Sequence, residues 1–180
     1  MIYLCQFVSM AQFDRKIIGK NIKSLREASG LSQLDFSHLV DISRRSIANI
    51  EAGTGNNNLD HLDNIFSFFN VKINDILKKE IQIPINFRES LIANHKNNKP
   101  LLILLGKQPN ITYAIKYKLL KSDFINTPKE VNEIKLFFEQ YGWGYLGTSI
   151  SNGLKREADK ILISKHEFKK NTNVYSKKRT

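Results

Sequence analysis

The chain has 180 residues, 41% of them hydrophobic, and a formal net charge of +11 at pH 7. That length holds one large domain or two small ones, with enough apolar content for a packed core. No run approaches a transmembrane span, and the single cysteine, Cys5, excludes an intramolecular disulfide and a cysteine-based zinc site. A reducing, cytoplasmic setting fits that cysteine usage. The charge is unevenly spread: residues 1–80 hold 10 Lys/Arg against 9 Asp/Glu, whereas residues 81–180 hold 18 against 8. The C-terminal half therefore carries a basic field. Such a field attracts a polyanion, with nucleic acid first and a membrane surface second; the plainer reading is a solubilising Lys-rich surface.

In chain order, the opening MIYLCQFVSM is apolar but lacks a basic n-region, so a signal peptide is not expected. Residues 1–13 are read as an N-terminal arm, or as an extension ahead of a true start at Met10. Asp14 to Ser29 reads as a first helix, with Ile18, Ile22 and Leu25 on one face and Gly30 as its stop. Gln33 to Gly53 then reads as two short helices around a tight turn. Ser32 caps the first, with Asp35 at the third helical position, and Phe36 and Leu39 face inward. Ser43 caps the second, and Ile47 and Ile50 give it an apolar face. Its outward face is Arg44, Arg45, Ser46 and Asn49, the short polar groups and guanidinium forks that read base edges in a major groove.

At Gln33, Phe36, Ile42, Ser43, Ile47, Ile50, Glu51 and Gly53 this stretch resembles the helix-turn-helix of the XRE family, the lambda-repressor/Cro-like regulators. Three positions depart from that pattern: Ser37 replaces the usual Ala, Asp41 the usual Gly, and Ala48 the usual Ser. Asp41 matters most, because the turn calls for φ > 0, a conformation Asp tolerates better than most residues. The resemblance covers roughly residues 14–79 and implies a five-helix domain that binds double-stranded DNA. It implies DNA contacts from Ser43, Arg44, Arg45, Ser46 and Asn49, with Gln33 bonding a phosphate and bracing the recognition helix. It also implies an ion pair between Arg26 and Glu51 that locks the first helix onto the recognition helix. Elementary electrostatics agrees, since a glutamate late in that helix would repel phosphate unless a cation neutralised it. A homodimer is expected, because one small module buries little DNA.

Beyond the GTGNNN loop, Leu59 to Phe69 reads as a fourth helix with Leu62, Ile65, Phe66 and Phe69 inward, and Ile73 to Lys79 as a fifth. Residues 80–108 are expected to be a connector that packs onto the second domain. Within it Pro84 demotes IQIPINF to an edge strand or linker, RESLIANHKNN reads as a helix, and PLLILLG is a buried run of undecided type. Ile111 to Ser122 is a helix candidate. Thr127–Glu130 looks like a full helix start, with Pro128 at the first helical position. That helix is expected to run to about Tyr141. Thr148 is expected to cap a further helix, with Ile150, Leu154 and Ala158 toward the core. Two strands, Ile161–Ser164 and Asn173–Ser176, flank the basic turn KHEFKKNT.

Three helices followed by a hairpin with a basic tip resemble a winged helix-turn-helix over residues 109–178. That resemblance implies that Ser149, Ser151, Asn152, Lys155 and Arg156 face bases or phosphates, and that Lys169 and Lys170 hold phosphates at the wing tip. The expected fold is thus mainly α: a five-helix lambda-repressor-like domain plus a small α/β winged domain with a two-stranded wing. The expected function is a sequence-specific DNA-binding transcriptional regulator. The alternative is an antitoxin-like or adaptor protein whose C-terminal domain binds a protein or dimerises. Nothing points to an enzyme, a cofactor or a metal. His38, His61, His95 and His166 lack metal-ligand spacing, and no Gly-rich phosphate loop or Gly-x-Ser-x-Gly elbow occurs. Glu133-Ile-Lys135 has the Glu-x-Lys order of metal-dependent nucleases but falls within a predicted helix rather than on a strand.

Overall fold

A computed structural model of the chain describes residues 14–54 and 58–178. The expected N-terminal arm, and the centre of the loop after Gly53, lie outside the described residues. The first five helices are α1 (Arg15–Ser29), α2 (Gln33–Leu39), α3 (Arg44–Ala52), α4 (Leu59–Phe69) and α5 (Ile73–Ile76). Their boundaries follow from local chemistry. The Asp14 carboxylate accepts from the Lys16 and Ile17 amides, and Gly30 closes α1 at φ 76°. The Ser32 and Ser43 hydroxyls cap α2 and α3. Asp41 takes the turn between them at φ 53°. Ser37, the departure from Ala inside α2, is buried but loses nothing, because its hydroxyl donates to the Leu34 carbonyl at 2.8 Å.

One core unites these helices. Ile22, Leu25, Phe36, Ile47, Ile50, Ile65 and Phe69 are all buried, and Phe36 stacks on Phe69 at 5.1 Å between centroids. The α1–α3 contact is the tightest. A Cβ added at Gly19 would lie 2.2 Å from the Ile50 carbonyl oxygen, so only glycine lets the two backbones meet. Gly19→Ala is therefore expected to destabilise this half by about 2–3 kcal/mol through overpacking. A lowered urea midpoint checks it, and an unchanged midpoint would contradict the packing. The fifth helix is shorter than expected. Asn21, buried in α1, donates to the carbonyls of Ile76 (2.8 Å) and Lys78 (2.7 Å) and accepts from the Ile81 amide, and these bonds replace a further helical turn.

Residues 80–108 depart from expectation. They do not pack chiefly on the second half. They form α6 (Phe87–Asn94) and α7 (Lys99–Gly106), and Ile81, Leu91, Leu101 and Leu105 complete the first core. PLLILLG is helical because Asn98 caps it and Pro100 sits in its first turn, a combination that starts helices rather than strands.

The second half holds its own core of Ile115, Leu119, Ile134, Phe138, Ile150, Leu154, Ile161 and Tyr175. It begins with α8 (Ile111–Tyr113), which runs on through a π turn at Ala114–Lys118 and a 3-10 turn at Leu119–Lys121. The π turn suits the sequence. Ala114 and Leu119, like Ile115 and Leu120, are buried pairs five residues apart, and an i→i+5 turn puts both on one face. After a 3-10 turn at Phe124–Asn126 come β1 (Lys129–Glu130), α9 (Val131–Glu139), α10 (Gly147–Arg156), β2 (Ile161–Lys165) and β3 (Asn173–Lys177). The strands form one antiparallel sheet in the order β1-β3-β2.

That sheet has three strands, not the two expected. Lys129 and Glu130 pair with Tyr175 and Val174, which requires them extended and moves the helix start past Thr127. The capping box is consequently built three residues later, by Glu130 and Glu133. Helix α10 also starts without the expected Thr148 cap. Its N-cap is Leu146, which supplies no side-chain bond. Ala158 is exposed, and the inward place belongs to Glu157, which is 8% exposed and paired with Lys116 at 3.4 Å.

The two halves meet along α1. Lys116 reaches Glu27 at 2.8 Å, and the Asn110 amide donates to the Leu31 carbonyl at 2.8 Å. Burial disfavours the Lys116 charge, but Glu27 and Glu157 outweigh it and hold the ammonium above its ordinary pKa. At the centre of this junction lies Arg88, 9% exposed, donating to the carbonyls of Ser29 and, at 2.6 Å, Leu105. Its guanidinium sits 5.3 Å from the centre of the Tyr113 ring. No carboxylate pairs with it among the described residues; the C-terminal carbonyls of α1 and α7 supply the negative potential instead. Burial pulls this guanidinium below its ordinary pKa.

Candidate nucleic-acid interface

Helix α3 presents the candidate surface. Ile47 and Ile50 anchor it in the core, and a 3.6-residue period then forces Arg44, Arg45 and Asn49 outward. All three are exposed, and their side chains make no hydrogen bond or ion pair among the described residues. Ser43 and Ser46 sit at the amino-terminal end of the helix. The Ser43 oxygen accepts from the Ser46 amide at 3.1 Å and lies 2.9 Å from the Ser46 hydroxyl, so both are partly committed to the cap. The free arginine forks are therefore the strongest donors on this face.

The opposite end of α3 is fixed from beneath. Glu51 is 8% exposed and accepts a bidentate pair from Arg26, at 2.5 Å to Nε and 2.9 Å to Nη2. Arg26 also donates to the Leu31 carbonyl at 3.0 Å, and Gln33 Nε2 donates to Glu51 at 2.9 Å. One carboxylate thus joins α1, α2 and α3. Gln33 is half-buried, and this bond is its bracing contact.

In the second half, α10 exposes Asn152, Lys155 and Arg156, while Ser149 is half-buried. Ser151 departs from the expected outward set: its hydroxyl lies 2.8 Å from that of the buried Tyr175, so it faces the sheet. At the hairpin tip Lys169 and Lys170 are both exposed, but Lys169 is bound to the Glu130 carboxylate. That hydrogen bond holds the Glu130 carboxyl below its ordinary pKa. Lys170 and Lys165 have no ion pair among the described residues. Sequence reasoning missed Glu130 as the partner of Lys169, because the contact depends on β1.

Three helices in series, with a capped, exposed and basic third helix braced on the first, define a helix-turn-helix domain. Residues 22–76 match the family model described as Helix-turn-helix, and this segment is the XRE-type domain that the residues of α2 and α3 indicate. Antitoxin PezA of Streptococcus pneumoniae serotype 4 (strain ATCC BAA-334 / TIGR4) is 44% identical over 64 residues, 36% of this chain and 40% of that protein. The chain thus matches about two-fifths of that relative's length. No solved structure matches the chain. No described helix is long and apolar enough to cross a membrane.

Proposed function

We propose that the protein is a sequence-specific double-stranded DNA-binding transcriptional regulator, acting as a homodimer. The observation that carries this reading is the outward face of α3. Arg44, Arg45 and Asn49 are unpaired and exposed on a helix whose other end is locked by a buried ion pair. Such a helix enters the major groove with its backbone already fixed in position by the Glu51 cluster. Gln33 then keeps one amide hydrogen for a phosphate while its other bond holds Glu51. Arg44→Ala and Arg45→Ala are each expected to weaken binding by about 1–3 kcal/mol and to relax sequence preference. Gel-shift titrations at fixed salt check this, and unchanged affinity and preference in both variants would contradict it.

In this reading the second half is a winged helix that adds affinity. Support comes from its order of helical run, β1, α9, α10 and hairpin, from the sheet order β1-β3-β2, and from its surplus of 18 Lys/Arg over 8 Asp/Glu in residues 81–180. Asn152, Lys155 and Arg156 would face the duplex, and Lys170 a phosphate. Lys155→Ala is expected to reduce the slope of log affinity against log salt by about one, as one lost phosphate contact does.

The similarity to a protein named as an antitoxin favours a second reading, in which the C-terminal part also binds a protein partner. Ile85, just ahead of α6, and Ile103, on α7, are 95% and 64% exposed and suit such a contact. A protein that co-purifies with the wild type and is lost with Ile103→Asp would support it.

A further inference from the structure

The hairpin tip between β2 and β3 is built to present one aromatic ring. Phe168 is 88% exposed, although a phenylalanine at a free tip gives up its whole hydrophobic gain. Its setting is ordered mainly by bonds, with one edge contact between its ring and that of His166 at 6.2 Å between centroids. His166 Nδ1 accepts from the amides of Phe168 (3.0 Å) and Lys169 (3.2 Å). The His166 amide closes the loop onto the Thr172 carbonyl at 2.9 Å, and Asn171 turns the chain at φ 59°. From below, the Glu130 carboxylate holds Lys169 and lies 3.3 Å from His166 Nε2. Lys165 and Lys170 flank this turn, exposed and without an ion pair among the described residues. An exposed apolar ring on a turn that carries Lys165 and Lys170 unpaired, against one exposed carboxylate at Glu167, keeps a net positive charge and fits a ligand with an anionic rail and a flat apolar interior.

We infer that Phe168 is a wedge that enters the minor groove and stacks on a base step while Lys165 and Lys170 hold the flanking phosphates. The inference rests on the reading of the second half as a DNA-binding winged helix and specifies how its tip engages. A wedge of this kind partly unstacks a base step and bends the duplex. It also favours flexible pyrimidine–purine steps, so the tip supplies sequence preference without a hydrogen bond to any base. Glu130 is then a positioning residue: it withdraws Lys169 from the phosphates and fixes the turn that carries the ring.

The test uses the full chain and a duplex of about 30 base pairs, a length set by two modules a helical turn or more apart, carrying a central TA step. Phe168→Ala is expected to weaken binding about 5- to 150-fold, the range of one lost base-stacking contact, without changing the salt slope. It should also reduce the bend, read by energy transfer between dyes at the duplex ends. Phe168→Trp should keep the affinity, and its indole emission should be quenched by stacking on DNA. Lys170→Ala should lower the salt slope by about one. If Lys165→Ala and Lys170→Ala leave both affinity and slope unchanged, the tip does not meet DNA, and the winged-helix reading falls with the wedge. If the lysine variants weaken binding but Phe168→Ala stays within twofold and the bend persists, the wedge alone is overturned. Loss of a co-purifying protein with Phe168→Ala, at unchanged DNA affinity, overturns it as well.

Discussion

Glu51→Ala is expected to destabilise the first half by about 3–5 kcal/mol, the cost of leaving a buried charge without its partner. Arg26 would keep its guanidinium in the core with only the Leu31 carbonyl to satisfy it, and Gln33 would lose the acceptor that ties α2 to α3. Urea denaturation followed by circular dichroism reads the effect. The pair itself adds much less than its removal costs, because both ions were taken out of water to make it. Arg26→Met combined with Glu51→Leu should therefore recover much of the loss, and the difference between that double variant and the sum of the singles measures the coupling. A loss below about 1 kcal/mol in Glu51→Ala, the range of an exposed pair, would show that the cluster does not hold α3.

Arg88→Met is expected to cost about 2–3 kcal/mol and to loosen the junction between the halves. It orphans the Ser29 and Leu105 carbonyls at the ends of α1 and α7, each worth about 1–3 kcal/mol when buried and unpaired. The recovered desolvation of the cation offsets part of that. Amide exchange should speed up in the last turn of α1, in α7 and in α8, while the centre of α4 stays protected. Arg88→Lys should not restore stability, because a single ammonium cannot reproduce a planar fork across two helix ends. Full rescue by lysine would show that charge alone, not the fork, is what the junction needs. Tyr145 belongs to the same region: its hydroxyl donates to the Pro109 carbonyl at 2.6 Å, and burial pushes its pKa well above the ordinary value.

The parts legible in the sequence are those fixed by short-range chemistry. Ser32 and Ser43 stand at the starts of their helices because a side-chain oxygen there meets an orphan amide, and that depends only on neighbours. The 3.6-residue spacing of Ile47 and Ile50 assigned the outward face of α3 in the same way. The pairing of Arg26 with Glu51 came from resemblance supported by electrostatics. What could not be read depends on distant partners. Lys129 and Glu130 are extended only because β3, more than forty residues later, pairs with them; Thr127-Pro128 alone looks like a helix start. Gly19 shows its purpose only when α3 lies against it. Arg88 looks like one more surface cation until two helix ends close over it. The inward turn of Ser151 likewise depends on Tyr175.

The proposed roles converge on α3 as the reader of DNA sequence. The most direct test is selection of bound sites by the full chain from a pool of random duplexes, run in parallel with Arg44→Ala and Arg45→Ala. The wild type is predicted to enrich a two-fold-related motif, its half-sites one helical turn or a multiple apart, as a homodimer of such modules requires. The variants should lose the preference at one position of each half-site while their non-specific binding to the pool persists. A wild-type selection that enriches no sequence, or the same motif from all three proteins, would contradict the assignment of α3.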